Sequence, residues 1–447
     1  MLPTKTSAEV GELFFFKLGR LWQQFKQESL AFKFICGYLF VEYFRPQTIY
    51  PALDILPWAQ FFLGGALMFT VMDKQARLAF SAVHFWMLMW VIVIYSSFLV
   101  AFNVSWSLDK QIFFIQWVIV FFIISMLVTT RARFYLFFMV FMICGFKIAL
   151  GTTRIWVMRG FSFTTWGLAG PSGYFQNSGE LAILMLTLLP ISYYLWVAHR
   201  HSLPRFEKLF LTLCMVCPFL TIIGSSSRGG QLAMLVQLGI MFHRQIFKPK
   251  IMVSVAIIGA LGFAVLPDEQ KERFSGIGTD KTSQQRILYW ENGWEMIKDH
   301  PVLGVGYYNF IPYYNTYYSE DIVDRRKSAE LPHNIFIQVG TDAGFLGLFV
   351  FVILICLSLF KRLPDKDRYP IEYSIMRGLR MGTLGFLIAG QFVTVTYYPF
   401  LWMNLALQCA ISVACQSKPA VPRMNQRRAA IEDSPDGEQQ AEGRTTR

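Results

Sequence analysis

The sequence predicts an all-α polytopic membrane protein, with about twelve transmembrane helices and one large water-facing loop that contains short helices. Three observations predict it. Only 16% of the 447 residues are charged and 54% are hydrophobic, whereas a soluble domain carries about 25% charged residues. The apolar residues gather into runs, most of them near the ~20 residues that a helix needs to cross a hydrocarbon core. One polar stretch, residues 266–334, interrupts the otherwise oily chain, and it is where chemistry in water is expected.

Residues 1–29 are of mixed charge and form an expected cytoplasmic N-terminal segment. They lack the basic, apolar and small-residue succession of a cleaved signal. Apolar runs follow near 30–44, 54–72, 78–101, 108–128, 133–150, 178–198, 207–223, 230–247 and 251–267, giving spans one to nine over 30–267. The large loop occupies 268–332. Runs near 334–360, 377–397 and 399–416 supply spans ten to twelve over 333–416. Basic residues concentrate in alternate connections, at Lys74 and Arg77, Arg131 and Arg133, Arg200 and Lys208, Arg244, Lys248 and Lys250, and Lys361 to Arg368. By the positive-inside rule those connections and both termini are cytoplasmic, and the large loop faces outward. From Asp268 to His333 there are 11 acidic and 8 basic side chains, a net −3 against +12 for the whole chain, as an outward loop should show. The tail, 417–447, is polar and expected to be disordered.

The net charge of +12 forms no continuous basic stripe with interleaved aromatics, so it reads as topology charge and not as a nucleic-acid surface. All seven cysteines fall in apolar runs. Cys214 and Cys217 have redox or zinc spacing but no second pair, and read as core packing. There is no GxxxxGK[ST] loop and no paired-carboxylate metal motif.

The polar groups that could carry chemistry lie on the outward side. In GSSSRGGQLAML (224–235), serine and glycine precede a helix start, and Arg228 offers a bidentate clamp for an anion such as phosphate or diphosphate. An arginine reaching to the interface from a serine-capped helix reads equally well. Thr282 to Gln285 has capping-box spacing, which places Arg286 in the first turn of a helix with an apolar stripe of Ile287, Trp290, Trp294 and Ile297. His300 before Pro301 reads as a turn residue. His333 stands at the start of the next span, where its imidazole could take a proton from a hydroxyl. Asn334, Gln338 and Asp342 follow on one face of that span, and an acid so deep marks a function or a structural hydrogen bond. Gly340 and Gly344 suit close helix packing. Lys147, Arg154 and Arg159 make an outward basic patch that could hold an anionic head group or simply anchor the chain.

SSSRGGQLAM resembles the SRG motif of the O-antigen ligase and polysaccharide polymerase superfamily. Arg286, HPVLGVGYYNF and HNIFIQVGTDAGFLGL resemble its later signatures in order and spacing, and FQNSGELAILMLTLLP, with Asn177, is similar to its upstream asparagine-containing span. Asp342 stands where that family usually has glutamate. The resemblance implies an integral-membrane, glycosyltransferase C-like enzyme of the inner membrane, inverting and metal-independent, with no cofactor. Its donor would be a glycan on undecaprenyl diphosphate on the periplasmic side, and its acceptor the lipid A core or another glycan, with polysaccharide assembly proteins as possible partners. His333 would be the base, and Arg228 and Arg286 would hold the diphosphate. Arg154, Arg159, Asn177, Asn334, Gln338 and Asp342 are candidate substrate contacts. A repeat-unit polymerase of the same superfamily, a protein O-glycosylating ligase and a lipid-linked-sugar flippase are the competing readings.

Overall fold

The computed structural model describes residues 18–164, 167–246, 248–250, 252–253, 257, 280–324 and 326–416. Most of the expected ninth span, the first part of the large loop and the tail 417–447 lie outside the described residues. Among those described, every regular element is helical. The helices of eight residues or more are, in chain order, α1 (Leu18–Gln27), α2 (Leu30–Phe44), α3 (Trp58–Thr70), α4 (Ala82–Ser97), α5 (Val104–Leu127), α6 (Arg131–Met158) and α7 (Ser178–His199). Then come α8 (Arg205–Gly224), α9 (Arg228–Met241), α10 (Lys281–Asp299), α11 (Phe310–Tyr317), α12 (Ile335–Leu359), α13 (Pro370–Ala389) and α14 (Pro399–Gln416).

Among the described residues, six helices are long and apolar enough to cross a membrane: Ala82–Val100, Val104–Leu127, Arg131–Met158, Ser178–His199, Arg205–Gly224 and Ile335–Leu359. The other described apolar runs form shorter helices, or in α13 one interrupted by Glu372, Arg377 and Arg380, so the described residues do not confirm the expected dozen. Two boundaries moved for visible reasons. α6 continues to Met158 and takes Arg154 into the helix, because no chain reversal occurs before Gly160 and Phe161, both at positive φ. The run 377–397 is helical only to Ala389, and 390–398 becomes a loop.

α7 lies at the centre of the bundle, packed mainly on α13 and α8. With lipid outside, such contacts depend on close van der Waals fit more than on exclusion of water. At the end where α6 begins, Arg133 is fully buried and every guanidinium nitrogen is engaged. Its Nε donates to Glu28 at 2.7 Å, Nη1 pairs with Asp73 at 2.9 Å and reaches the Leu127 carbonyl, and Nη2 reaches Ser29. Asp73 also accepts from the Ser29 hydroxyl. One cation thereby joins α1, the start of α2, the connection after α3 and the start of α6.

At the other end α12 is broken. Ala343 (φ −147°, ψ 16°) and Gly344 (φ 64°, ψ −162°) leave the helix, and the loop after α10 fills the gap. The Val305 N–H donates to the Thr341 carbonyl at 2.7 Å, and the Phe345 N–H to the Pro301 carbonyl at 2.7 Å. Backbone groups freed within a span must be satisfied by protein, and here the loop does it. A Cβ on Gly304 would lie 2.2 Å from the Thr341 oxygen, and one on Gly344 would lie 2.5 Å from Val302 backbone. Gly340 takes the close contact expected of it, against Ile297 of α10, whereas Gly344 makes the break itself. Beside the break, buried Asp342 accepts from the Tyr308 N–H at 3.0 Å and the Tyr397 hydroxyl at 2.8 Å.

Two stability outcomes follow from these arrangements. Arg133→Ala leaves two buried carboxylates unpaired and should cost about 3–5 kcal/mol, read as a fall in the thermal unfolding midpoint of detergent-purified protein. Gly344→Ala forces an alanine into a conformation open essentially to glycine alone, and should cost at least about 1–3 kcal/mol. An unchanged midpoint for either would mean that the ion cluster or the helix break is not a stabilising feature.

Candidate active site

Three elements converge at the end of the bundle that carries the broken half of α12. The first is the turn 224–228, where Ser226 takes a positive φ of 57° and Ser227 caps α9 by accepting from the Gly230 N–H. This turn brings Arg228 to the first position of α9. Gly229 beside it packs against Phe392, with no room for a Cβ.

The second element is α10. Asp280 caps it, accepting from the Ser283 N–H at 3.0 Å and the Ser283 hydroxyl at 2.6 Å, so the helix begins earlier than the Thr282 capping box predicts. Arg286 consequently lies in the second turn and not in the first. The buried stripe is also displaced, to Tyr289, Gly293, Met296 and Ile297, while Ile287 and Trp294 are exposed. Gly293 accounts for the shift: a Cβ there would strike Ile337, so α10 lies directly on the first turns of α12. Tyr289, Met296, Val305, Phe310 and Tyr314 form a small core of their own above the bundle. Within the tyrosine run, Tyr307 and Tyr314 are buried structural residues and Tyr317 is exposed. His300 ends α10, as expected of a turn residue, and its Nε2 lies 3.3 Å from the Tyr313 hydroxyl.

The third element is the segment that enters α12. His333 has a positive φ of 52°, an uncommon conformation that histidine adopts more readily than most residues. Its neighbours fix it there. The His333 N–H donates to Thr394 Oγ1 at 3.1 Å, the Pro332 carbonyl accepts from Trp290 Nε1 at 2.9 Å, and the Ile335 N–H donates to the Gly390 carbonyl. Asn334 caps α12, accepting from the Phe336 and Ile337 N–H groups, and its amide donates to Gln391.

Charge couples the three elements. Arg228 meets Asp280 at 3.4 Å through both terminal nitrogens, with both side chains about one-third exposed. His333 Nε2 lies 3.4 Å from Glu330 Oε2. Arg286 is pushed below the usual arginine pKa by burial and then by the nearby Arg228 guanidinium, against the opposing charges of Asp280 and Glu330. Its Nε is buried with no hydrogen-bond partner among the described residues. Glu330 is held below the usual carboxylate range, first by its hydrogen bond to His333 and, with smaller weight, by Lys327 and Arg286. Asp280 is also lowered: the Ser283 hydrogen bonds and then Arg228 outweigh its desolvation. Two guanidinium groups and an imidazole, with two carboxylates between them, can bind a multiply charged anion beside a proton acceptor.

The remaining sequence candidates are placed differently. Gln338 is buried on α12 and its Oε1 has no partner among the described residues. Asp342 is enclosed and bonded to Tyr308 and Tyr397. Asn177 caps α7 through the Gly179 N–H, with Glu180 completing the capping box, and it meets the site only indirectly, because Gly179 packs on Val393. Arg154 and Arg159 are exposed at the far end of α6, which is tied to α8 through Thr152, Thr153 and Thr221. Sequence reasoning missed Asp280, Glu330 and Thr394. Glu330 had a signal in its spacing, three residues before His333; the other two reach the site only through the fold.

No curated protein matches the chain. Residues 213–352, which hold Arg228, Arg286 and His333 together, match the family model Wzy_C, described as O-antigen ligase, and that match supports the resemblance to the O-antigen ligase superfamily.

Proposed function

We propose that the protein is a membrane glycosyltransferase that moves a glycan from undecaprenyl diphosphate to a hydroxyl of an acceptor glycan, the lipid A core in first place. The reaction takes place on the periplasmic face of the inner membrane, with both termini cytoplasmic. The observation that carries this reading is the pairing of Arg228 with Arg286. Two cations from different helices repel each other where they stand, and a diphosphate would turn that repulsion into a double clamp.

The chemistry then needs little else. The acceptor oxygen attacks the anomeric carbon on the face opposite the diphosphate, the new C–O bond forms as the old one breaks, and the configuration inverts. Negative charge collects on the departing diphosphate, where Arg228 and Arg286 meet it. The hydroxyl proton passes to His333. With Nε2–H donating to Glu330, the lone pair lies on Nδ1, and the carboxylate steadies the imidazolium that forms. The diphosphate is already a good leaving group, so the two arginines serve in place of a metal.

A polymerase joining repeat units would use the same groups with another acceptor. A carrier for lipid-linked sugars would suit a broken span with an acid beside it, but both partners of Asp342 are internal, which favours the enzyme.

Transfer by purified protein, from undecaprenyl-diphosphate glycan to lipid A core with and without EDTA, tests the reading. His333→Ala should lower kcat about 10²–10⁴-fold while the protein stays inserted and folded. Arg228→Lys should be nearly as damaging, because lysine keeps the charge but loses the planar fork. Inhibition by EDTA would overturn the metal-free mechanism, and full activity of His333→Ala would overturn its role as base. In a deletion strain, bare lipid A core with long chains left on the carrier means ligase, and single repeats on the core mean polymerase.

Asp280 occupies Arg228 while no donor is bound. Asp280→Asn keeps an oxygen to cap α10 but removes the competing charge, so it should lower the KM for the lipid-linked donor and leave the KM for the acceptor unchanged. A raised donor KM would show that Asp280 assists binding and does not compete with it.

A further inference from the structure

A polar cavity of about 320 Å³ opens at the same end of the bundle, and neither arginine of the candidate site lines it. Its walls are the end of α2, the start of α3, the middle of α5, the segment at 173–174 and Tyr398. The size falls at the lower end of the roughly 300–1,000 Å³ typical of small-molecule sites. The geometry points to a saccharide-binding subsite here, one that holds a sugar unit of the acceptor during transfer. The saccharide assignment stands on the cavity alone; naming it the acceptor rests on the glycosyl-transfer reading.

Three features carry the assignment. Gln47, Gln60 and Gln116 line the cavity, and each amide both donates and accepts, as a ring of neighbouring hydroxyls requires. Gln47 Oε1 is buried with no hydrogen-bond partner among the described residues, an arrangement that a ligand hydroxyl would complete. Trp58, Tyr174 and Tyr398 supply aromatic surface for the C–H faces of a sugar ring.

Charge argues against the alternative ligand, a second diphosphate. The one cation among the lining residues, Arg45, is paired with Glu42 at 3.2 Å, and Asp54 adds a negative charge, so the wall has no net positive charge to hold a diphosphate. Arg45 also braces the wall itself: a Cβ on Gly173 (φ +101°) would fall 1.9 Å from its Nη2, so only glycine lets the guanidinium lie there. The two sites share one loop. Tyr398 faces the cavity, and Thr394 on the same 390–398 segment holds the His333 N–H. A saccharide seated against Tyr398 therefore lies on the loop that also positions the base.

Saturation-transfer NMR on the full-length protein in a detergent without a sugar head group tests the subsite, with methyl glycosides of glucose, galactose and N-acetylglucosamine as probes. Ring protons of at least one glycoside should receive saturation. Binding should weaken about tenfold in Trp58→Ala, the loss of roughly one good contact, and likewise in Ala59→Trp, which fills the cavity without removing a polar group. His333→Ala and added inorganic diphosphate should leave binding unchanged. Thermal unfolding establishes that each variant is folded, and Ala59→Trp decides the matter if Trp58→Ala is not. No transfer to any glycoside, equal binding in the folded cavity variants, or displacement by diphosphate would overturn the proposal. In the glycan-transfer assay, Ala59→Trp should raise the acceptor KM and spare the donor KM. An unmoved acceptor KM with binding lost would remove the acceptor assignment. A wild type that transfers nothing would defeat the proposed function, while the NMR result would still judge the cavity.

Discussion

A single buried acidic side chain holds together the end of the bundle that carries the candidate site. Asp342 accepts one hydrogen bond from the Tyr308 backbone and another from the Tyr397 hydroxyl, so α12, the loop after α10 and the 390–398 loop meet at one side chain. A buried carboxyl group is tolerable only when its oxygens are satisfied, and that demand fixes both loops at once. The break at Ala343 and Gly344, directly after it, admits the Pro301 to Val305 backbone into the helix. The acid expected to contact a substrate is placed instead as the post against which the contacting segments are set.

From that post the arrangement of the reactive side chains can be followed. The anchored loop after α10 and the tight Gly293 contact hold α10 on α12, and with it Arg286. The 390–398 loop touches every other contributor: Phe392 lies on Gly229 beside Arg228 and 6.4 Å from the Trp290 ring, and Thr394 takes the His333 N–H. These are separate contacts of one short segment, so the relative placement of the two arginines and the histidine depends on it more than on any direct bond among them.

Much of this was legible in the sequence, and the illegible part has a consistent physical cause. Hydropathy located the helices, and the motif residues Arg228, Arg286 and His333 do come together. Periodicity failed where packing overrode pattern. The α10 stripe was misread because Gly293, which has no apolar side chain, is the residue that faces α12. The run 377–397 looked like one span because Phe392, Val393, Val395 and Tyr397 extend its apolar and aromatic content, even though 390–398 is a loop whose polar atoms bind other segments. The helix start at Asp280 was missed because Thr282 offered a plausible cap. Distant partners such as Thr394 have no sequence signal, since nothing local marks a threonine whose hydroxyl serves a backbone sixty-one residues away.

The strengths of these contacts differ in a way that bears on catalysis. His333 is fixed on several sides and Arg286 rides on a closely packed helix, whereas Arg228 meets Asp280 through a long, one-third exposed contact. An exposed ion pair of that kind contributes about 0–1 kcal/mol. Under the proposed function, a doubly charged diphosphate bridging both guanidinium groups would make charge-assisted bonds, shorter and roughly twice as strong as neutral ones. The candidate site thus sets His333 and Arg286 on closely packed segments and Arg228 in a weaker ion pair. Under the proposed function, that division would suit a base that must be in place beforehand and a charge that grows only as the bond to the carrier breaks.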